Sequence, residues 1–85
     1  MKIVYSSKFA REYKKLPIKV KIIAEGKEKI FRNNPFAKSL DTHKLHARLK
    51  EFWSFSIDGK NRIIFEFFDK EVIYFHSVGN HDIYK

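Results

Sequence analysis

The sequence predicts an α+β fold in which two N-terminal helices pack on one face of a small twisted antiparallel sheet, in the order β-α-α-β-β-β. Residues 52–78 contain three runs of aromatic and β-branched residues separated by polar turns, which is typical of an antiparallel meander. Residues 7–31 carry apolar side chains at three- and four-residue spacing, which is typical of helices. A chain of 85 residues is expected to form one domain, residues 1–85.

The chain begins with a short apolar run at residues 3–5, which we expect to add an outer strand to the sheet. Ser6 or Ser7 follows, and either hydroxyl can accept a free backbone N–H at the start of a helix. This first helix is expected to end near Lys15, because Pro17 cannot continue it. Its apolar stripe consists of Phe9, Tyr13 and Leu16.

A second helix is expected from about Ile18 to Phe31. Asn34 precedes Pro35 and is therefore pushed out of the α region, which ends the helix. The helical period predicts an inward side made of Val20, Ile23, Ala24, Lys27, Ile30 and Phe31. The two helices form a hairpin that can cover an apolar sheet face, and residues 36–44 are expected to form a loop.

The three strands of the meander have two faces, because successive side chains of a strand point to opposite sides. One face is almost wholly apolar and contains Trp53, Phe55, Ile57, Ile63, Phe65, Phe67, Ile73 and Phe75. The other, here called the mixed face, combines apolar residues with Ser54, Ser56, Arg62, Glu66 and His76, and includes Val78. Chemistry is expected on the mixed face. The dipeptide Asp58-Gly59 predicts a hairpin turn with positive φ at Gly59, and residues 69–71 supply a second turn.

The charge of the chain indicates a polyanionic partner. The formal net charge is +8, and Lys and Arg displace counterions from a phosphate backbone. An acidic protein would satisfy the same charge, and solubility alone is the plainer explanation. The absence of cysteine fits a reducing cytoplasm, and no apolar run approaches the roughly 20 residues of a membrane span. We therefore expect a cytoplasmic domain without membrane contact.

The four histidines favour acid–base chemistry over metal binding. His43 and His46 stand three residues apart, and His76 and His81 stand five apart, without the cysteine or carboxylate partners typical of a zinc site. No metal or other cofactor is expected. An imidazole titrates near neutrality, which suits proton transfer, although any one of these histidines taken alone is more often structural.

Basic and aromatic residues interleave toward the end of the chain: Arg62, Tyr74, His76, His81, Tyr84 and Lys85. Rings stack on bases and guanidinium groups grip phosphates, so this set suits single-stranded RNA. The alternative is that Tyr74 and Tyr84 fill the sheet edge while Arg62 pairs with Glu66.

The C-terminal half carries a further combination of motifs: Leu45, Leu49, Trp53-Ser54-Phe55, Ile57, Arg62-Ile63-Ile64-Phe65, the run from Val78 to Asp82, and Tyr84. In this combination the chain resembles the RelE/ParE superfamily of type II toxins, most of all its YafQ and YoeB branches. The resemblance implies a RelE-like fold and ribosome-dependent cleavage of mRNA at the A site. It also implies a metal-independent reaction, in which a base deprotonates a ribose 2′-OH, the oxygen attacks the adjacent phosphate, and an acid protonates the leaving 5′-oxygen.

The resemblance assigns a role to each candidate residue. Arg62 would hold the scissile phosphate. His81 would be the general acid or share both proton transfers, and Tyr84 would stack on or orient a base of the codon. His43 is the candidate base, with His46 as the weaker choice. The implied contacts to phosphate or ribosomal RNA come from Lys44, His46, Arg48 and Lys50. Many relatives have Arg where this chain has Ser56, so we expect weaker catalysis or compensation by Lys60 or Arg48.

Two other functions remain open. The ParE branch shares the fold but inhibits DNA gyrase without nuclease activity, and an inactive binding module is the third possibility. The joint presence of His43, Arg62, His81 and Tyr84 favours the nuclease. In each toxin interpretation the partner is a cognate antitoxin. Its acidic segment is expected to fill the groove between the helices and the sheet, or to displace the C-terminal residues.

Overall fold

The computed structural model describes residues 1–46 and 51–80, in which two α-helices lie against a five-stranded sheet. The strands are β1 (Lys2–Tyr5), β2 (His43–Lys44), β3 (Phe52–Ser56), β4 (Arg62–Phe67) and β5 (Val72–Gly79). The helices are α1 (Ser7–Lys14) and α2 (Ile18–Asn33), followed by one 3₁₀ turn at Lys38–Leu40. The predicted α+β order is confirmed. The 3₁₀ turn and β2 fall in the segment that was expected to be a loop.

The strands are ordered β1-β5-β4-β3-β2 across the sheet. Strands β2, β3, β4 and β5 pair antiparallel with one another in sequence order, which confirms the meander. Strand β1 pairs parallel with β5, so the sheet is mixed and the expectation of a wholly antiparallel sheet is corrected at this edge. Parallel neighbours need a long connection between them. Here the helices and the rest of the meander provide it, because the chain crosses to β2 and returns strand by strand to β5.

Helix α1 begins with a side-chain cap, as the sequence predicts. The Ser6 hydroxyl accepts a hydrogen bond from the Phe9 N–H at 2.9 Å and donates to the His76 carbonyl at 2.9 Å. The cap therefore also ties α1 to β5. Phe9 is buried, and Tyr13 and Leu16 pack against the core, which confirms the predicted stripe.

Helix α2 buries a narrower stripe than its sequence predicts. Ala24 and Phe31 are buried, whereas Ile23 and Ile30 are 41% and 36% exposed. Each of these isoleucines precedes a buried residue by one position, which is about 100° around the helix, so it lies beside the sheet contact. Neither α2 nor any other helix within residues 1–46 and 51–80 is long and apolar enough to cross a membrane.

The core is built around the ring of Phe31. Its ring centroid lies 4.8 Å from that of Phe55, 4.9 Å from that of Phe65 and 5.5 Å from that of Phe75. All four side chains are fully buried. One residue of α2 therefore joins the helix layer to three adjacent strands of the sheet.

A register shift in β5 changes which side chains face the core. Ile64 pairs with Ser77 and Phe65 pairs with Phe75, so His76 is an extra residue opposite β4. Beyond this bulge the alternation reverses, and Val78 is 2% exposed and part of the core. The prediction that Val78 lies on the mixed face is therefore wrong.

Aspartate side chains close both turns of the meander. The Asp58 carboxylate accepts hydrogen bonds from the N–H groups of Lys60 and Asn61 at 2.8 and 2.7 Å. Asp69 accepts two such bonds at 2.8 Å in the next turn. The predicted hairpin is confirmed, but Gly59 does not have the positive φ expected of it. The carboxylate of Asp58 holds this turn in place of a left-handed glycine.

Candidate functional site

Arg62 lies at the first position of β4, on the mixed face. It is opposite Ser56 of β3 and Gly79 of β5. Its side chain is only 16% exposed, so the guanidinium is held against the protein. The neighbouring residue, Ile63, points into the core and fixes the strand at this end. Arg62 is therefore a positioned cation at one end of the sheet.

Two residues hold the guanidinium of Arg62. Its Nε donates to the Ser54 hydroxyl at 3.1 Å, and its Nη2 donates to the Asp41 main-chain carbonyl at 2.8 Å. Its Nη1 lies 3.5 Å from a carboxylate oxygen of Asp41. Ser54 is fully buried, whereas the Asp41 side chain is 75% exposed. The inner edge of the guanidinium is thus fixed, while its outer edge contacts a carboxylate that another anion could replace.

His43 lies beside Arg62. Its Nδ1 is 3.3 Å from Nη2 of Arg62 and 3.2 Å from the Asp41 carbonyl. Strand β2 determines this placement, because His43 pairs with Ser54 across the sheet. The structure therefore brings together the predicted base and the predicted phosphate ligand. An imidazole and a guanidinium so close can contact one phosphate and its ribose at the same time.

The other predicted contacts lie farther from this pair. Lys44 pairs with Trp53 and points to the opposite side of β2 from His43. His46 is exposed after β2, and Lys60 is exposed in the turn between β3 and β4. Within residues 1–46 and 51–80, His43 is the one member of the predicted set that contacts Arg62.

Four predicted site residues lie outside the described residues: Arg48, Lys50, His81 and Tyr84. The predicted acid and the predicted stacking residue are thus not part of the geometry above. Strand β5 ends at Gly79, directly opposite Arg62, two positions before His81 in the sequence.

Ser56 stands where many relatives of the resembled family have Arg. It is the cross-strand partner of Arg62, and its hydroxyl donates to the Asp58 carbonyl at 2.8 Å. A second guanidinium at this position would adjoin that of Arg62. In this chain the position instead supports the turn between β3 and β4.

Asp41 is a site residue that the sequence motifs do not predict. This residue has φ 50° and ψ 48°, and no other non-glycine residue in the described ranges has a positive φ. Aspartate tolerates the left-handed region better than most residues, so its presence in a predicted loop was the available signal. The alternative in which Arg62 pairs with Glu66 is wrong, because Glu66 instead lies 2.9 Å from Nε2 of His76.

A groove of about 560 Å³ lies between α1 and α2. It is lined by Tyr5, Phe9, Ala10, Tyr13, Lys14, Lys21 and Glu28. Burial and the hydrogen bond to Glu28 raise the pKa of Tyr5, so its hydroxyl stays neutral and donates to that carboxylate. Apolar rings below and lysines at the rim suit an amphipathic segment with acidic side chains.

The arrangement of these elements defines a class of fold. Two helices cover one face of a five-stranded mixed sheet, and the other face carries an arginine and a histidine at one end. This is the RelE-like α+β fold. No protein-family model matches the sequence, and no curated protein shows significant sequence similarity to it.

Solved toxin structures share this fold over nearly the whole chain. YafQ from E. coli strain BL21(DE3) has a TM-score of 0.80 at 17% identity, covering 96% of this chain and 94% of its own. A YoeB/ParE toxin from Agrobacterium tumefaciens has a TM-score of 0.81 at 15% identity, covering 95% and 99%. The YoeB-YefM complex from Staphylococcus aureus has a TM-score of 0.75 at 20% identity, covering 95% and 97%. At these identities the likeness is one of fold.

Proposed function

We propose that this protein is a type II toxin of the RelE/ParE superfamily that cleaves mRNA at the ribosomal A site. The observation that supports this most is the contact between Arg62 and His43 on the mixed face of a RelE-like sheet. Their nitrogens are 3.3 Å apart. A guanidinium for the phosphate and an imidazole for proton transfer are two of the groups that RNA cleavage without a metal requires.

The reaction proceeds by transfer of the phosphoryl group within the RNA. His43 removes the proton of a ribose 2′-OH, and the oxygen attacks the adjacent phosphorus. The bond from phosphorus to O5′ breaks, and His81 gives its proton to the departing oxygen. The products are a 2′,3′-cyclic phosphate and a 5′-hydroxyl. Arg62 stabilises the charge that develops on the phosphate oxygens.

Two neighbours position Arg62 for this role. Ser54 holds Nε from a buried hydroxyl, which fixes the plane of the guanidinium. The Asp41 main-chain carbonyl holds Nη2, whereas the Asp41 carboxylate beside Nη1 is exposed enough to be displaced by a phosphate. His81 follows the strand end that pairs with Arg62, which supports its assignment to the same end of the sheet. Tyr84 remains the proposed stacking residue on the strength of the family resemblance.

The proposed partner is an antitoxin with an acidic, helical segment. The toxin YoeB of Staphylococcus aureus has been solved in complex with YefM. The groove between α1 and α2 offers an acidic helical segment an apolar floor and two lysines at its rim, Lys14 and Lys21. Displacement of the C-terminal residues is the other mode of inhibition that we consider.

Charge reversal in the groove tests this partner. The double variant Lys14→Glu and Lys21→Glu is expected to weaken binding to the product of the adjacent reading frame by more than about tenfold. A matched double variant, Lys29→Glu and Lys70→Glu, changes the net charge equally at exposed positions outside the groove. Equal losses in both double variants would show that net charge, and not the groove, determines the affinity.

Primer extension in a bacterial translation extract tests the nuclease. Purified protein is added to a defined message with and without ribosomes, beside the variants Arg62→Ala and His81→Ala. We expect discrete cuts in the message at A-site codons. These cuts should require ribosomes and should be absent with either variant. An intact message and normal translation would overturn the proposal, and a gyrase supercoiling assay would then test the ParE-like alternative.

A further inference from the structure

A second group of side chains lies on the mixed face, farther along β4 from Arg62. Cross-strand pairing aligns Phe52 of β3, Glu66 of β4 and Tyr74 of β5 in one row. Paired residues point to the same side of a sheet, so all three share a face. With a rise of about 3.3 Å per residue, Glu66 stands about 13 Å from Arg62 along the strand. The proposed cleavage mechanism does not use this row.

The bulge in β5 adds His76 to the row. Its Nε2 is 2.9 Å from a Glu66 carboxylate oxygen. The ring of Phe52 stacks on the imidazole with centroids 4.6 Å apart and planes inclined by 27°. The ring of Tyr74 meets the imidazole nearly edge-on, at 6.0 Å and 75°. The imidazole is thus held between rings and a carboxylate, and it in turn positions Glu66.

These groups remain accessible to a ligand. The side chains of His76 and Glu66 are 30% and 28% exposed, and Phe52 and Tyr74 are half-buried. Phe68 packs on Tyr74 with ring centroids 4.9 Å apart and is itself 55% exposed. Proteins bind the unstacked bases of single-stranded RNA with partly exposed rings beside a hydrogen-bonding side chain.

We propose that this row is a nucleobase-binding site, here called the base site, for the RNA strand whose phosphate lies at Arg62. The inference rests on the proposed function. The base stacks on the aromatic rings, and the Glu66 carboxylate accepts hydrogen bonds from its Watson–Crick edge. A carboxylate has about four lone-pair positions, so Glu66 can hold His76 and a base together.

The chemistry of Glu66 selects among the bases. Guanine presents two adjacent donors on its Watson–Crick edge, N1–H and the N2 amino group, which match the two oxygens of a carboxylate. Uracil presents one donor on that edge, between two carbonyl oxygens that would face the carboxylate. The base site therefore favours guanine over uracil, and His76 acts as a positioning residue that orients Glu66.

The test measures binding, because binding is separable from cleavage. The probes are fluorescent 2′-O-methyl tetranucleotides, one of four uridines and four others with a single guanine at each position. The 2′-O-methyl group removes the attacking hydroxyl, so the probes stay intact. The proteins are wild type, Glu66→Gln, Phe52→Ala and the control Glu25→Gln, which makes the same chemical change at an exposed position on α2.

We expect wild type and Glu25→Gln to bind the best guanine probe about tenfold more tightly than the uridine probe. Glu66→Gln should abolish this preference by weakening guanine binding without weakening uridine binding, because the amide has one acceptor oxygen in place of two and its NH₂ group can donate to a uracil carbonyl. Phe52→Ala should weaken binding of both probes by about tenfold through the loss of stacking.

Several results would overturn the base site. One is a guanine preference that survives in Glu66→Gln. Another is wild-type protein that shows no preference for guanine or does not bind the probes. A third is a folded Phe52→Ala variant that binds the probes as tightly as wild type does. The nuclease proposal would fail in a different experiment, the primer extension, if the message stayed intact with wild-type protein in the translation extract. The two proposals can therefore fail independently.

Discussion

Asp41 contacts both terminal nitrogens of Arg62 from a backbone in the left-handed region. The backbone of Asp41 has φ 50° and ψ 48°. Its carbonyl accepts a hydrogen bond from Nη2 at 2.8 Å, and its carboxylate lies 3.5 Å from Nη1. A guanidinium offers its donors in a fork that matches carboxylate and phosphate alike. Under the proposed function, we interpret the Asp41 carboxylate as occupying part of the position that an RNA phosphate would take.

Removing that carboxylate should strengthen phosphate binding. Asn at position 41 tolerates the same backbone conformation but does not pair with the guanidinium as an ion. An ion pair with an exposed partner contributes about 0.2–1 kcal/mol, so Asp41→Asn should bind a 2′-O-methyl tetranucleotide about 1.4- to fivefold more tightly. Fluorescence anisotropy measures the change. Equal affinity in Asp41→Asn and wild type would contradict this interpretation, and adding Arg62→Gln should remove the gain.

Asp58 should make the fold sensitive to acid. Burial opposes its ionisation, but hydrogen bonds from the N–H groups of Lys60 and Asn61 prevail and lower the pKa of Asp58 below its ordinary value of 3.8. The ionised carboxylate thus stabilises the fold at neutral pH, and this contribution is lost as the pH falls through the lowered pKa. Asp58→Asn should reduce the free energy of unfolding by about 1 kcal/mol at neutral pH and by less in acid.

Urea unfolding of wild type and Asp58→Asn between neutral and acidic pH measures this difference. The control is Glu71→Gln, at an exposed position in the turn between β4 and β5. Its free energy of unfolding should change with pH as that of wild type does. A difference between wild type and Asp58→Asn that stays constant down to acid pH would show that the carboxylate charge is not the cause.

Phe31 should dominate the stability of the core. Its ring is fully buried and contacts rings on three strands, so Phe31→Ala should lower the free energy of unfolding by about 3–5 kcal/mol. Ile22→Ala, on the same helix at a side chain that is 63% exposed, should change it by less than about 0.5 kcal/mol. Denaturant unfolding compares the two variants. Similar effects at both positions would mean that Phe31 is not the central contact between helix and sheet.

The helices and the meander could be predicted because their signals are local. Ser6, Pro17 and the spacing of Phe9 and Tyr13 act within one or two helical turns. The face of Val78 could not be predicted, because it depends on a one-residue shift against β4 that leaves no trace in the alternation of β5. The direction of β1 likewise depends on a partner strand at the other end of the chain.

The candidate site likewise contains residues that the sequence predicts and contacts that it does not. Arg62 and His43 could be proposed from motifs that resemble those of a family, and their proximity is a finding of the structure. The contact between Arg62 and Asp41 joins residues 21 positions apart, and that between His76 and Glu66 depends on the bulge. Neither has a local signature in the sequence, because both arise from the register of the sheet.

The most direct test of the account is the rate at which the message is cut on programmed ribosomes under single-turnover conditions. Wild type is compared with Arg62→Gln and with Arg11→Gln, the same substitution at an exposed position on α1. The account predicts that Arg62→Gln forms the 2′,3′-cyclic phosphate end at least about 100-fold more slowly, while Arg11→Gln keeps the wild-type rate. Equal rates for Arg62→Gln and wild type would contradict the assignment of Arg62 as the group that stabilises the phosphate.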